Sequence, residues 1–148
     1  MAATSMVLLS LLSTKSEISR LTLQEMMISS KYERNQSAMN KQLNLEEKYN
    51  DAIADAQDSE KTIDVAGFHK DKGYVCTDAQ AEAYARIKVK YYDAEYLEEL
   101  NDLDMRYDAM KTLYETQLTQ AQEKEKNLNQ LLTTSIKADA SKAAGGNG

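Results

Sequence analysis

Hydrophobic residues return every three or four positions along two long stretches of this chain, the spacing of one face of an α-helix. In the first stretch Ile18, Leu21, Ile28, Tyr32, Met39, Tyr49 and Ile53 share a stripe, with Glu25, Asn35, Gln42 and Glu46 filling its other turns. In the second, Leu100, Leu103, Tyr107, Met110, Tyr114, Gln117, Ala121, Lys124, Leu128 and Leu131 form a more apolar stripe, preceded by Tyr84, Ile87, Tyr91, Ala94 and Leu97. The join near Leu97–Leu100 breaks the heptad, which predicts a local change of supercoil within one continuous helix. These two stripes are the expected seam of a coiled coil; either the polar members of the first set register at some cost in stability, or its true line drifts, with Leu43 and Leu45 replacing Gln42 and Glu46.

Helix breakers are confined to a few places. The chain has no proline, and its five glycines stand at Gly67, Gly73, Gly145, Gly146 and Gly148. The pattern predicts an apolar N-terminal segment over 1–13, helix one over 14–60, a connecting insert over 61–77, helix two over 78–137 and a flexible tail over 138–148. Thr14-Lys15-Ser16-Glu17 fits a capping box for helix one; the alternative start is near Ser5, with Thr14 internal. Thr77-Asp78-Ala79-Gln80 is the corresponding signal for helix two, with an acid opposing the macrodipole. In the insert, Ile63/Val65 and Tyr74/Cys76 alternate with period two around a polar, glycine-bounded turn, so either two short strands or an irregular compact loop is expected. The fold class follows: all-α, a long antiparallel helical hairpin with a short β-like or irregular insert at its turn. One seam leaves Leu23, Met26, Met27, Tyr92, Tyr96, Leu113 and Leu118 uncovered, so self-association or docking on a larger partner is expected.

Charge narrows the partners. The net charge is −6, which gives no general attraction to nucleic acid or to anionic lipid. Three cations in Arg86-Ile87-Lys88-Val89-Lys90 are followed by seven acids against one base over 93–108. That acidic run is a solvated helix face or a docking stripe for a basic partner. Tyrosine supplies contact area with a polar tip, and six of the nine fall on helix two between Tyr84 and Tyr114. The candidate partner-binding residues are therefore Asp93, Glu95, Glu98, Glu99, Asp102, Tyr92, Tyr96 and Phe68, toward a protein partner or a second copy, with no nucleic acid.

Met6-Val7-Leu8-Leu9-Ser10-Leu11-Leu12 is too short to span a bilayer, and no Lys or Arg precedes it. It is expected to be a helix end packed on a partner or on the other helix; the alternative is an uncleaved export address or a membrane-surface anchor. A single cysteine, Cys76, excludes an internal disulfide and fits a reducing, cytoplasmic compartment.

Catalytic chemistry has little to work with. His69 and Cys76 are the only residues of their kinds, and both lie in the insert, where an oriented nucleophile has no sheltered pocket. One His and one Cys fall short of the roughly four ligands of a zinc site. Gly67-Phe68-His69-Lys70-Asp71-Lys72-Gly73 lacks the Lys-Ser/Thr of a phosphate loop, and no Glu-x-x-His pair marks a di-metal bundle. No catalytic, cofactor-binding or metal-binding residue is expected. The layout of long helix, short β-like insert and long helix resembles that of prefoldin-type holdases. In pattern it also resembles the helical-hairpin stalk, needle and tip components of bacterial export machines. The resemblance is one of architecture and no residue motif carries it. The functional expectation is a non-enzymatic coiled-coil structural or interaction protein that self-associates or docks on a larger assembly, the alternatives being a holdase chaperone or an exported appendage subunit.

Overall fold

The computed structural model describes residues 2–145, folded as α1 (Ala2–Ala56), β1 (Ile63–Val65), β2 (Phe68–Lys70), α2 (Asp78–Lys88) and α3 (Ala94–Gly145). The two long helices, α1 and α3, pack against each other as the expected hairpin, with the small sheet and the short helix in the turn region. Four boundaries differ from the sequence expectation, the first being that α1 ends at Ala56, short of residue 60. Residues 2–13 are the first turns of α1 rather than a separate segment, so Thr14 lies inside the helix. Helix two is not continuous: α2 stops at Lys88 and α3 starts at Ala94. The helix runs on through 138–145, where alanines favour it; residues 146–148 lie outside the described residues.

The interruption needs neither glycine nor proline. Ile87, Val89, Tyr91 and Tyr92 are β-branched or aromatic and lose side-chain freedom in a helix. Val89 leaves helical geometry at φ −122°, ψ 76° while its N–H still bonds Ala85. Asp93 then caps α3: its carboxylate accepts the Tyr96 N–H at 3.1 Å, and its carbonyl accepts the Leu97 N–H at 3.0 Å. The break therefore falls upstream of Leu97–Leu100, where the interrupted heptad predicts only a local change of supercoil.

By contact the chain forms two compact units, Met1–Tyr32 with Arg106–Gly148, and Glu33–Met105. In the first, Val7, Leu11, Thr14, Leu21 and Ile28 are buried along α1, and Ala121 along α3. Thr4 donates to Asp139 at 2.6 Å, and the Lys111 ammonium sits 5.6 Å from the Tyr32 ring centroid. Both pairings run antiparallel.

The second unit holds the one contiguous buried cluster among the described residues: Ala52, Ala56, Ile63, Cys76, Ala81, Tyr84 and Ala85, with Tyr49, Ile53 and Phe68 against it. Ala52 and Ala56 of α1 and Ala81 and Ala85 of α2 are buried together in this cluster with Tyr84. The capping box at Thr77 forms as its spacing predicts, with Gln80 N–H on the Thr77 hydroxyl at 3.2 Å and the Gln80 side chain on Thr77 N–H at 3.0 Å. The strands pair antiparallel, Ile63 with Lys70 and Val65 with Phe68. Gly67, at φ +89°, makes the two-residue turn possible. The second strand is thus Phe68–Lys70, and Tyr74–Cys76 is not a strand. A lone hairpin of three-residue strands is marginal. Here it is anchored: Phe68 stacks on Tyr84 at 4.8 Å, and the buried Lys70 ammonium donates to the carbonyls of Asp58 and Tyr74. Gly73 N–H on Ser59 and Cys76 N–H on Ala56 complete the clip onto the end of α1.

Candidate protein-docking surface

The α1 stripe lies inward at every turn. Ile18, Leu21, Ile28, Tyr32, Met39, Tyr49 and Ile53 are buried or half-buried, and so are the polar members Glu25, Asn35, Gln42 and Glu46. On α3, Leu100, Leu103, Tyr107, Tyr114 and Leu128 are buried or half-buried. Met110 and Leu131, expected in the seam, are 39% and 50% exposed. Asp104, Lys111, Leu118, Glu125 and Leu132 take the alternate inward turns instead. At the first two of these a polar contact holds the inward turn. Asp104 accepts from Gln36 at 3.2 Å, and Lys111 lays its aliphatic stem inward with its charge over Tyr32. Ranking positions by apolarity favours Met110 over Lys111 and so picks the wrong neighbour.

The polar residues of α1 are what hold the break. Gln42 donates to the Tyr91 carbonyl at 3.1 Å and accepts the Asp93 N–H at 3.0 Å. Asn35 donates to the Leu100 carbonyl at 2.8 Å. Glu46 accepts the Tyr92 hydroxyl at 3.0 Å, and the Tyr92 ring rests on Tyr49 at 4.9 Å. Burial, then the Glu46 hydrogen bond, raises the Tyr92 phenol above its ordinary range.

Three of the expected docking residues are thereby engaged within the fold. Asp93 is the α3 cap, Tyr92 is the aromatic strut, and Phe68 is part of the turn core. Glu95, Glu98, Glu99, Asp102 and Tyr96 are exposed. Beside them the break opens a shallow groove of about 570 Å³ lined by Tyr49, Arg86, Lys90, Tyr91, Tyr92, Asp93, Ala94 and Glu95. Tyr91, assigned to the helix stripe from sequence, is 82% exposed at its lip. Its signal was the adjacent Tyr91-Tyr92 pair, of which a helix can turn only one inward. The groove has an aromatic floor, cations from Arg86 and Lys90, and carboxylates from Asp93 and Glu95, an amphoteric lining suited to a polypeptide.

The two candidate chemical residues are not presented together. Cys76 is buried in the turn core, whereas His69 is exposed on β2. His69 lies 2.9 Å from Asp71 and 3.5 Å from Asp64, and hydrogen bonds to those carboxylates, Asp71 first, raise its pKa. Among the described residues no group of three or more His, Cys, Asp or Glu is arranged to hold a metal. No described helix is long and apolar enough to cross a membrane.

In the other unit, α1 carries exposed Met6, Leu8, Leu9, Leu12, Leu23, Met26 and Met27. Comparison with protein-family models, curated proteins and solved structures finds no match.

Proposed function

We propose that this protein is a non-catalytic structural or interaction protein, a helical hairpin that docks on a larger assembly or on itself. One observation carries the reading: buried polar side chains are spent on fixing the hairpin and its break, while large apolar and tyrosine side chains remain in water. Exposed apolar surface of that extent marks an interaction site. The groove at the α2–α3 break is the recognition element of the turn-proximal unit, with Tyr91 as its anchor and the acidic residues Glu95, Glu98, Glu99 and Asp102 as its rim.

A photo-crosslinking residue placed at Tyr91 or Tyr96, with Gln122 as an exposed control, tests this in cells. Crosslinks concentrated at Tyr91 and Tyr96 and reaching a discrete polypeptide are the expected result. Equal yield at all three positions would refute the groove. If the purified chain instead keeps unfolded client proteins soluble, the holdase reading replaces this one.

A further inference from the structure

The exposed apolar residues of α1 have an order of their own. Counting outward-facing positions at alternating spacings of three and four gives Leu9, Leu12, Ser16, Ser19, Leu23 and Met26. All six are exposed. The four large ones are 58–67% exposed. The stripe lies across the helix from the inward series Val7, Leu11, Thr14, Ile18, Leu21 and Ile28, so this part of α1 has two seams and the hairpin covers one.

The outer stripe is symmetric about its midpoint, between Glu17 and Ile18. Read backwards it gives the same classes: large, large, small, small, large, large. An antiparallel second copy would set Leu9 on Met26, Leu12 on Leu23 and Ser16 on Ser19, each pair occurring twice about a two-fold axis. This is the self-complementarity an isologous interface requires. Small serines at the axis permit close approach of the helices, and the large residues clamp either end.

Charge selects the orientation. The positions flanking this stripe include Lys15 on one side and Arg20 on the other. In a parallel pair such flanking positions meet across the seam, and Lys15 would oppose Arg20 of the second copy twice. In the antiparallel pair each flank meets its own kind, so Lys15 faces Thr22 and Arg20 faces Ser13. The like-charge contact vanishes, and Met6 is brought opposite Met27. The surface available is of the right order: seven Leu and Met side chains, 46–68% exposed, present roughly 700 Å² per chain, against the ~800 Å² per partner that a standard interface buries.

We infer that the occupant of this face is a second copy of the chain, bound antiparallel through residues 6–27 of α1 about an axis at Glu17/Ile18. This rests on the reading of the protein as an interaction module and names the partner for one of its faces.

Sedimentation equilibrium of the full chain, with helix content followed by circular dichroism, tests it. The wild-type chain is expected to dimerise. Leu12→Glu should weaken the dimer by more than about 100-fold at unchanged helix content, because the axis places the charge in the seam twice. Thr22→Glu should tighten it by facing Lys15 of the other copy. A spin label at Ala3, in a Cys76→Ser background, reads the orientation. The two labels should lie about 44 Å apart along the axis if antiparallel, from 29 residues of helical rise, and about 10 Å apart if parallel. A wild-type monomer at all concentrations, a dimer indifferent to Leu12→Glu, or the short label distance would each overturn the inference. A monomer that keeps its Tyr91 crosslinks would leave the docking role standing. A dimer without those crosslinks would do the reverse.

Discussion

The Gln42 side-chain oxygen accepts the backbone N–H of Asp93 at 3.0 Å, across 51 residues of sequence. The same side chain donates to the Tyr91 carbonyl. One glutamine thus supplies both partners for backbone groups that a helix would otherwise have paired. Gln42→Leu should destabilise the protein by about 1–3 kcal/mol, since it strands a donor and an acceptor in a partly buried seam. Gln42→Glu keeps the acceptor for Asp93 but sets a buried carboxylate against the Tyr91 carbonyl, and should cost at least as much. Urea titration measures the difference, and amide exchange should show protection lost first around 89–97.

Thr14 is the opposite case. It is 1% exposed, and its hydroxyl has no hydrogen-bond partner among the described residues. Thr14→Val keeps the shape and removes the stranded group, so it should stabilise the hairpin by roughly 1 kcal/mol. A lower melting temperature for this variant would show that the hydroxyl has a partner.

Lys70 ties two otherwise loose carbonyls, those of Asp58 and Tyr74, from inside the turn. Lys70→Met fills the same space without the donors and should cost about 2–3 kcal/mol, the range for hydrogen bonds to charged groups. Lys72→Ala, on the exposed face of the same segment, should change stability by less than about 0.5 kcal/mol. Chemical denaturation of the pair separates a buried tie from a surface charge.

The seam of α3 can be read by inserting charge. Leu100→Asp should cost more than about 3 kcal/mol, because a buried position would acquire an unpaired carboxylate. Met110→Asp, at a position 39% exposed, should cost less. Equal losses would restore the register in which Met110 faces α1.

His69 provides a pH signature. Its pKa is raised by Asp71 and Asp64, so the folded state binds the proton more tightly than the unfolded chain. Stability from this contact is full below the ordinary histidine value of about 6.5 and is lost as pH rises through the higher folded value. As the only histidine, its imidazole resonances can be followed without ambiguity. Asp71→Asn should lower the midpoint of that titration, and an unmoved midpoint would reject the pairing.

Much of this was readable beforehand, in specific places. The Thr77 cap, the inward face of α1 and the antiparallel return of the chain rest on local spacing, and local spacing decides them. The glycine at position 67 announced the turn, although the second strand begins immediately after it rather than at Tyr74. The candidate docking surface is legible in the sequence only in part. Asp93, Tyr92 and Phe68 read as free recognition residues because their composition suits interfaces, and nothing nearby in sequence reveals that α1 and α2 engage them. Tyr91 reads as one more inward tyrosine because its spacing continues the stripe of a helix that in fact stops three residues earlier.

The chain alone determined that there would be two long amphipathic helices, where they would turn back, and which face of α1 would be buried, because helical periodicity and capping act within a few residues. Only the tertiary structure decided where the second helix breaks, that α3 turns Lys111 rather than Met110 toward its neighbour, and that Gln42, Asn35 and Glu46 serve the break. Those outcomes depend on hydrogen bonds and a cation–aromatic contact between residues 46 to 79 positions apart. Such pairings become available only once the two helices already lie side by side, so no window of sequence contains them.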